Sequence, residues 1–174
     1  MKKDSLGVAL LCATLVFAGC REVPAPEPAS PAAASVFFLT RHAEKAGLED
    51  ESPLTEAGEA RAQAVSRWLR DAGIQKIYST DFARTRATAA PLAGALGLEL
   101  QLYDPGKLAE LADALRSTPG RYLVVGHSDT TPELVSLLGG EAGAPIGEDE
   151  YDRLYVLHHR SGAGTTTLLL RSSP

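Results

Sequence analysis

The chain has 174 residues, 44% of them apolar and 22% charged, the size and balance of one soluble globular domain. A net charge of -5 excludes a nucleic-acid partner held by a general basic surface, and 16 Gly with 11 Pro, scattered along the chain, exclude a collagenous or wholly disordered one. Both cysteines, Cys12 and Cys20, fall within the first 20 residues, so the remaining chain has neither a disulfide nor a cysteine metal site.

Residues 1–19 read as an export signal. Lys2 and Lys3 precede a run over residues 6–18 that carries no charge. That run is too short to cross a hydrocarbon core of ~30 Å as a helix, but it suits a signal-peptide apolar region. It closes on Phe17-Ala18-Gly19-Cys20, which resembles the bacterial lipobox with Phe17 in place of the usual leucine. Cleavage before Cys20 would expose it to lipid modification, and two or three acyl chains hold a protein stably where one does not. An ordinary secretory signal cut nearby is the alternative. After Cys20, the stretch to residue 35 is rich in Pro and Ala. It reads as a tether reaching up to ~45 Å if extended. The expected location is the periplasmic side of a bacterial membrane. Arg21, where some lipoproteins carry Asp, resembles sorting to an outer membrane. The folded domain is expected over residues 36–174.

Within the domain, Val36-Phe37-Phe38-Leu39 predicts a buried strand. A helix follows over residues 55–72, with Thr55 as cap, Gly73 as stop and Trp68 beside Val65 and Leu69 on the core face. Ile77-Tyr78 predicts a second strand, and residues 81–96 a helix opened by Asp81 and closed by Gly97. Asp104-Pro105 opens a third helix, with Asp as N-cap and Pro at the first position. Residues 122–125 form a third strand, and Thr131-Pro132 opens a helix ending at Gly139-Gly140. Residues 154–157 and 165–170 are final strands across a Gly-rich turn. Strands alternating with helices predict an α/β fold, with a mostly parallel central sheet and helices on both faces. Sites in such folds sit at the carboxyl ends of the strands.

Three polar clusters fall at those ends. They are Thr40-Arg41-His42-Ala43-Glu44-Lys45, Ser79-Thr80-Asp81-Phe82-Ala83-Arg84-Thr85-Arg86, and Gly126-His127-Ser128-Asp129. If the strands are parallel neighbours, one rim holds two histidines and at least two arginines. Guanidinium is a permanently charged planar fork that matches phosphate oxygens. It also keeps a neighbouring imidazole neutral, and so nucleophilic, and stabilises charge on a phosphoryl group in flight. Arg86, two residues from Arg84 on a helix, points elsewhere. Glu44 and Lys45 either line the mouth or are solvated. His158 and His159, adjacent on a strand, face opposite sides and read as surface or packing.

These motifs resemble the histidine phosphatase superfamily, also called phosphoglycerate-mutase-like. Arg41-His42, in the form RHAEK, is similar to the family's signature dipeptide. Leu54-Thr55-Glu56-Ala57-Gly58 matches its helix start, Tyr78-Ser79-Thr80 with Arg84-Thr85 and Thr88-Ala89 its second arginine motif, and Val124-Val125-Gly126-His127-Ser128 its second-histidine motif. The resemblance implies His42 as the nucleophile that becomes phosphohistidine. Arg41, Arg84, His127 and Ser128 would hold the phosphoryl group, without metal or nucleotide cofactor. It also implies a carboxylic acid that protonates the leaving oxygen. Asp104 stands first for this role and Asp129 second; Glu99, Glu110 and Asp113 share the segment.

The short stretch from Arg84 to His127 resembles the compact phosphatases, phosphohistidine phosphatases included, rather than the mutases. The expected substrate is a phosphorylated small molecule or a phosphoprotein. Two other functions compete. Gly126-His127-Ser128-Asp129-Thr130 nearly spells the G-x-S-x-G elbow of a serine hydrolase, with Asp149 or Asp152 and then His158 or His159 following in order. Alternatively, the pocket binds phosphorylated ligands without turnover.

Overall fold

The computed structural model describes residues 34–171. The expected signal, Cys20 and the tether as far as residue 33 lie outside the described residues. The sheet has six strands in the order β3-β2-β4-β1-β5-β6. They are β1 (Ala34–Arg41), β2 (Lys76–Ser79), β3 (Leu100–Leu102), β4 (Arg121–Gly126), β5 (Arg153–Arg160) and β6 (Gly164–Arg171). The first four are mutually parallel; β5 runs antiparallel to β1, and β6 antiparallel to β5. The helices are α1 (Glu56–Leu69), α2 (Ala83–Leu96), α3 (Leu108–Ser117) and α4 (Thr130–Leu137). The expected α/β class is what forms.

Alternation along the strands makes two cores. Val36 and Phe38 of β1, Leu123 and Val125 of β4, and Leu154 and Val156 of β5 pack with Val65 and Leu69 of α1 and Leu92 of α2. Phe37, Leu39, Tyr122, Val124, Tyr155 and Leu157 point to the other face, against α3 and α4. Both faces are covered, which is why the central strands are continuous apolar runs.

Local chemistry sets the helix ends. Thr55 caps α1 by accepting from Gly58 N at 3.1 Å, and Glu56 and Glu59 face the positive end of the helix dipole. Trp68 is 45% exposed, contrary to its expected place in the core. The buried stripe of α1 runs through Gly58, Ala62, Val65 and Leu69, and Trp68 lies one residue, about 100°, off its end. Helix α2 starts at Ala83 rather than at Asp81, because the Asp81 carboxylate is bonded to Arg86 and caps nothing. Gly97, at φ +64°, closes it as expected. Asp104-Pro105 opens only a 3₁₀ turn over Pro105–Lys107, and α3 begins at Leu108. Strand β3 was not expected; three residues on a sheet edge, two of them exposed, carry no period to read.

Gly58 is fixed by packing. A Cβ there would stand 2.2 Å from the carbonyl oxygen of Glu44, the same oxygen that accepts from Thr55 N at 2.9 Å. Helix α1 can approach the loop after β1 only where a side chain is missing. Gly58→Ala in a helix interior would ordinarily stabilise by about 1 kcal/mol. Here the expected sign is reversed: overpacking should cost roughly 1–3 kcal/mol, read as a lower urea midpoint.

Candidate active site

Register brings the three clusters to one edge. Arg41 of β1 pairs with Gly126 of β4, and Ser79 of β2 pairs with Val125 of β4. His42, Thr80 and His127 therefore leave the sheet side by side, with His42 N bonded to Gly126 O at 2.9 Å. Gly126 is crowded: a Cβ would meet the Thr130 and Tyr103 hydroxyls at 2.9 Å. A cavity of about 840 Å³ opens over these residues, lined by Arg41, His42, Arg84, His127 and Ser128.

Other candidates separate. Asp129 lines the cavity; Asp104 does not. The Asp104 carboxylate is exposed and accepts from Gly106 N at 2.8 Å, as a cap does, while its neighbour Pro105 lines the cavity. Arg86 is paired with Asp81 and Glu51 outside the cavity. Glu44 is held by two nitrogens of Arg61 at 2.6 to 2.9 Å. Burial pushes its carboxyl up, but bonds from Arg61 hold it below the ordinary value. It ties the His42 loop to α1 and does not line the mouth. His158 and His159 pair with Val36 and Ser35, at the far end of β1 from Arg41, which removes the base that a serine hydrolase built on Ser128 would need.

His42 is 3% exposed, and its Nδ1 lies 2.7 Å from the carbonyl oxygen of Ala43. A carbonyl only accepts, so Nδ1 carries the proton and Nε2 keeps its lone pair. Burial, reinforced by Arg41, His127 and Arg84, lowers the His42 pKa to about 3, against an upward pull from the Ala43 bond. The ring is neutral and nucleophilic at neutral pH. Its centroid stands 5.5 Å from that of His127.

His127 is the opposite tautomer. The Thr85 hydroxyl lies 2.9 Å from the carbonyls of Thr80 and Phe82 and donates to them. Thr80 Oγ1 therefore donates to Thr85 Oγ1 and accepts from His127 Nε2–H, both at 2.9 Å. Nδ1 of His127 then carries a lone pair, so in this tautomer the ring accepts and does not donate to a phosphoryl oxygen as expected. Burial and Arg84 lower the pKa of this ring to about 4.

The arginines are held from behind. Arg41 Nη1 donates to the carbonyls of Gly147, Glu148 and Glu150 at 2.8, 2.7 and 3.0 Å. The Tyr151 ring covers its guanidinium at 4.1 Å. Arg84 lies over the Phe82 ring at 4.5 Å and reaches the Asp50 carbonyl at 3.4 Å. The Nε of each arginine is a buried donor with no acceptor. Segment 147–151 is itself organised by the Glu150 carboxylate, which accepts from Gly147 N, Arg153 and Arg171. Those arginines hold Glu150 down to about 2. Sequence reasoning missed this clamp; its one signal was an acidic run just before a strand that neighbours β1. Among the described residues, no group of three or more His, Cys, Asp or Glu is placed to hold a metal ion.

Two outcomes test this geometry. Nitrogen-15 spectra should show opposite tautomers, Nδ1–H on His42 and Nε2–H on His127, with neither ring taking a proton between pH 8 and 5. Both pKa values lie below the unfolded value of 6.5, so the unfolded chain binds more protons below that pH. The rings' contribution to stability is complete above pH 6.5 and is lost as pH falls towards 4 and 3. Urea unfolding should show that slope, and a His42→Asn/His127→Asn chain should lack its share.

Residues 37–112, which hold Arg41, His42 and Arg84 but not His127, match the family model for the histidine phosphatase superfamily (branch 1). The protein named "Probable phosphoglycerate mutase GpmB" of Yersinia pestis (strain Pestoides F) is 34% identical over 121 residues, covering 65% of this chain and 54% of that protein. The one of Yersinia pseudotuberculosis (serotype O:1b) matches equally. The chain thus spans about half the length of the curated relatives it matches. Among solved structures, the protein histidine phosphatase SixA complexed with tungstate aligns with a TM-score of 0.63 at 18% identity, over 78% of this chain and 96% of that one. A mycobacterial glucosyl-3-phosphoglycerate phosphatase with inorganic phosphate aligns with a TM-score of 0.62 at 15% identity, over 80% and 97%. These two are likenesses of fold. Residues 37–112 are thus similar in sequence to the histidine phosphatase superfamily, and the domain shares the fold of these solved phosphatases.

Proposed function

We propose that the domain is a phosphatase that hydrolyses phosphomonoesters or phosphohistidine through a phosphohistidine on His42. One observation carries this reading. A neutral imidazole, fixed with its Nε2 lone pair available, shares a cavity with two guanidinium groups whose buried Nε donors have no acceptor. That set suits a tetrahedral dianion approached by a nucleophile.

In the first step His42 Nε2 attacks phosphorus in line; the N–P bond forms as the bond to the leaving group breaks. Asp129, in the cavity with its Oδ1 held by Thr130 N at 2.8 Å, takes the role first expected of Asp104 and supplies a proton to the leaving atom. In the second step water, giving its proton to the same carboxylate, displaces phosphate from His42. Arg41 and Arg84 oppose the charge on the phosphoryl oxygens throughout.

Hydrolysis of p-nitrophenyl phosphate by the full chain should persist in EDTA and vanish in His42→Ala. Arg84→Ala should lose roughly 10²–10³-fold in kcat, the scale of one lost anion-stabilising donor. A near-wild-type Arg84→Ala rate would remove that residue from the site. Phosphate binding by the wild-type chain with no turnover would favour a phosphate-binding protein instead.

The proposal extends to location: an exported protein, anchored by lipid on Cys20 to the periplasmic side of a bacterial membrane. The uncharged run over residues 6–18 and the Phe17-to-Cys20 sequence support it. Among the described residues no helix is long and apolar enough to cross a membrane. Cys20→Ser should move the protein from the membrane to the soluble fraction with catalysis unchanged; continued membrane association would refute the anchor.

A further inference from the structure

The proposed phosphatase site has a mouth whose charge opposes that of its floor. Arg41 and Arg84 lie below, and Lys45 adds one cation at the side, with its Nζ turned to the Gly47 carbonyl at 2.9 Å. Four carboxylates line the same cavity from three loops: Asp50, Asp129, Glu148 and Asp149. Glu148 and Asp149 are exposed, and the Asp50 side chain is 76% exposed, 4.0 Å from Arg84. Glu148 and Asp149 act on Arg41, and Asp129 and Asp50 on His127. They therefore stand close enough to be felt at the floor. That a ligand belongs here rests on a separate observation: Arg41 is 6% exposed, lines this cavity, and keeps an unpartnered Nε donor.

The charge balance then turns on the ligand. A phosphoryl dianion offsets Arg41 and Arg84. What remains around the leaving group, with Asp129 holding the proton it delivers, is the carboxylates of Asp50, Glu148 and Asp149 against one lysine. A second anion on the substrate meets repulsion; a cation meets attraction. From this arrangement, which rests on the phosphatase reading, we propose that the site selects phosphorylated compounds carrying a positive charge beside the phosphate, and discriminates against those carrying a second anion. Phosphorylated amines and phosphorylated segments rich in Lys or Arg fit this class. A phosphoglycerate, with its carboxylate, does not.

The test compares phosphorylethanolamine with 3-phosphoglycerate. Their affinities are measured by calorimetry on the full His42→Asn chain at low salt, so that ranking does not depend on turnover. Their inhibition constants against p-nitrophenyl phosphate are measured on the wild-type chain. Phosphorylethanolamine should bind at least about tenfold more tightly, the scale of a few solvent-exposed charge pairs acting together. The ratio should fall below about threefold in a Asp50→Asn/Glu148→Gln/Asp149→Asn chain. It should also shrink in high salt, where the screening length is ~3 Å. Equal affinities, or a preference for 3-phosphoglycerate, overturn the selectivity and leave the phosphatase reading standing. Binding of neither compound overturns both.

Discussion

The structure turns on one buried charge. Arg41 sits at the end of the central strand β1, 6% exposed, where an unpaired guanidinium would cost several kcal/mol. Three main-chain carbonyls meet it, from a turn more than 100 residues away in sequence. That turn stands beside Arg41 because β5 adds antiparallel to β1 and starts next to its end. Its shape is held by Glu150, and Glu150 by Arg153, whose guanidinium also donates to the Ala144 and Pro145 carbonyls and the Tyr155 hydroxyl. A parallel α/β core needs no such addition to bury its apolar faces. Here the antiparallel addition brings up the turn whose carbonyls let a cation stay inside.

That cation in turn determines what the histidines are. Two rings with centroids 5.5 Å apart, between two guanidiniums, cannot both hold protons cheaply. Their tautomers are chosen by groups that cannot titrate: a main-chain carbonyl for His42 and a chain of threonine hydroxyls for His127. No carboxylate takes part in either choice. The pocket floor is therefore fixed in protonation as well as position, and the acidic residues stand only at its mouth.

Much of this was legible in the sequence, for reasons visible in particular residues. Val36 to Leu39 and Tyr122 to Val125 lie in strands buried on both faces, so their apolar runs were readable. Arg41, His42, Arg84 and His127 converge because parallel register follows from alternating strands and helices. Asp104 serves as the cap that Asp-Pro predicts and is not among the residues lining the cavity. Trp68 sits at the margin of a helical stripe, where a one-residue offset moves a side chain from core to solvent. Segment 147–151 showed only an acidic run, which does not reveal its role. It has no period, and its role is carried by backbone carbonyls, which every residue has.

The bond from His42 Nδ1 to the Ala43 carbonyl has a consequence for chemical lifetime. A phosphorylated imidazole bears positive charge, and an anionic partner on Nδ1 would neutralise it and strengthen the N–P bond. A carbonyl offers only a dipole, and Arg41 and Arg84 add to the unfavourable charge nearby. A phosphoryl group on this ring would have a high group-transfer potential and a short dwell time. On the proposed mechanism, such a ring would pass phosphate on to the next nucleophile and would not store it.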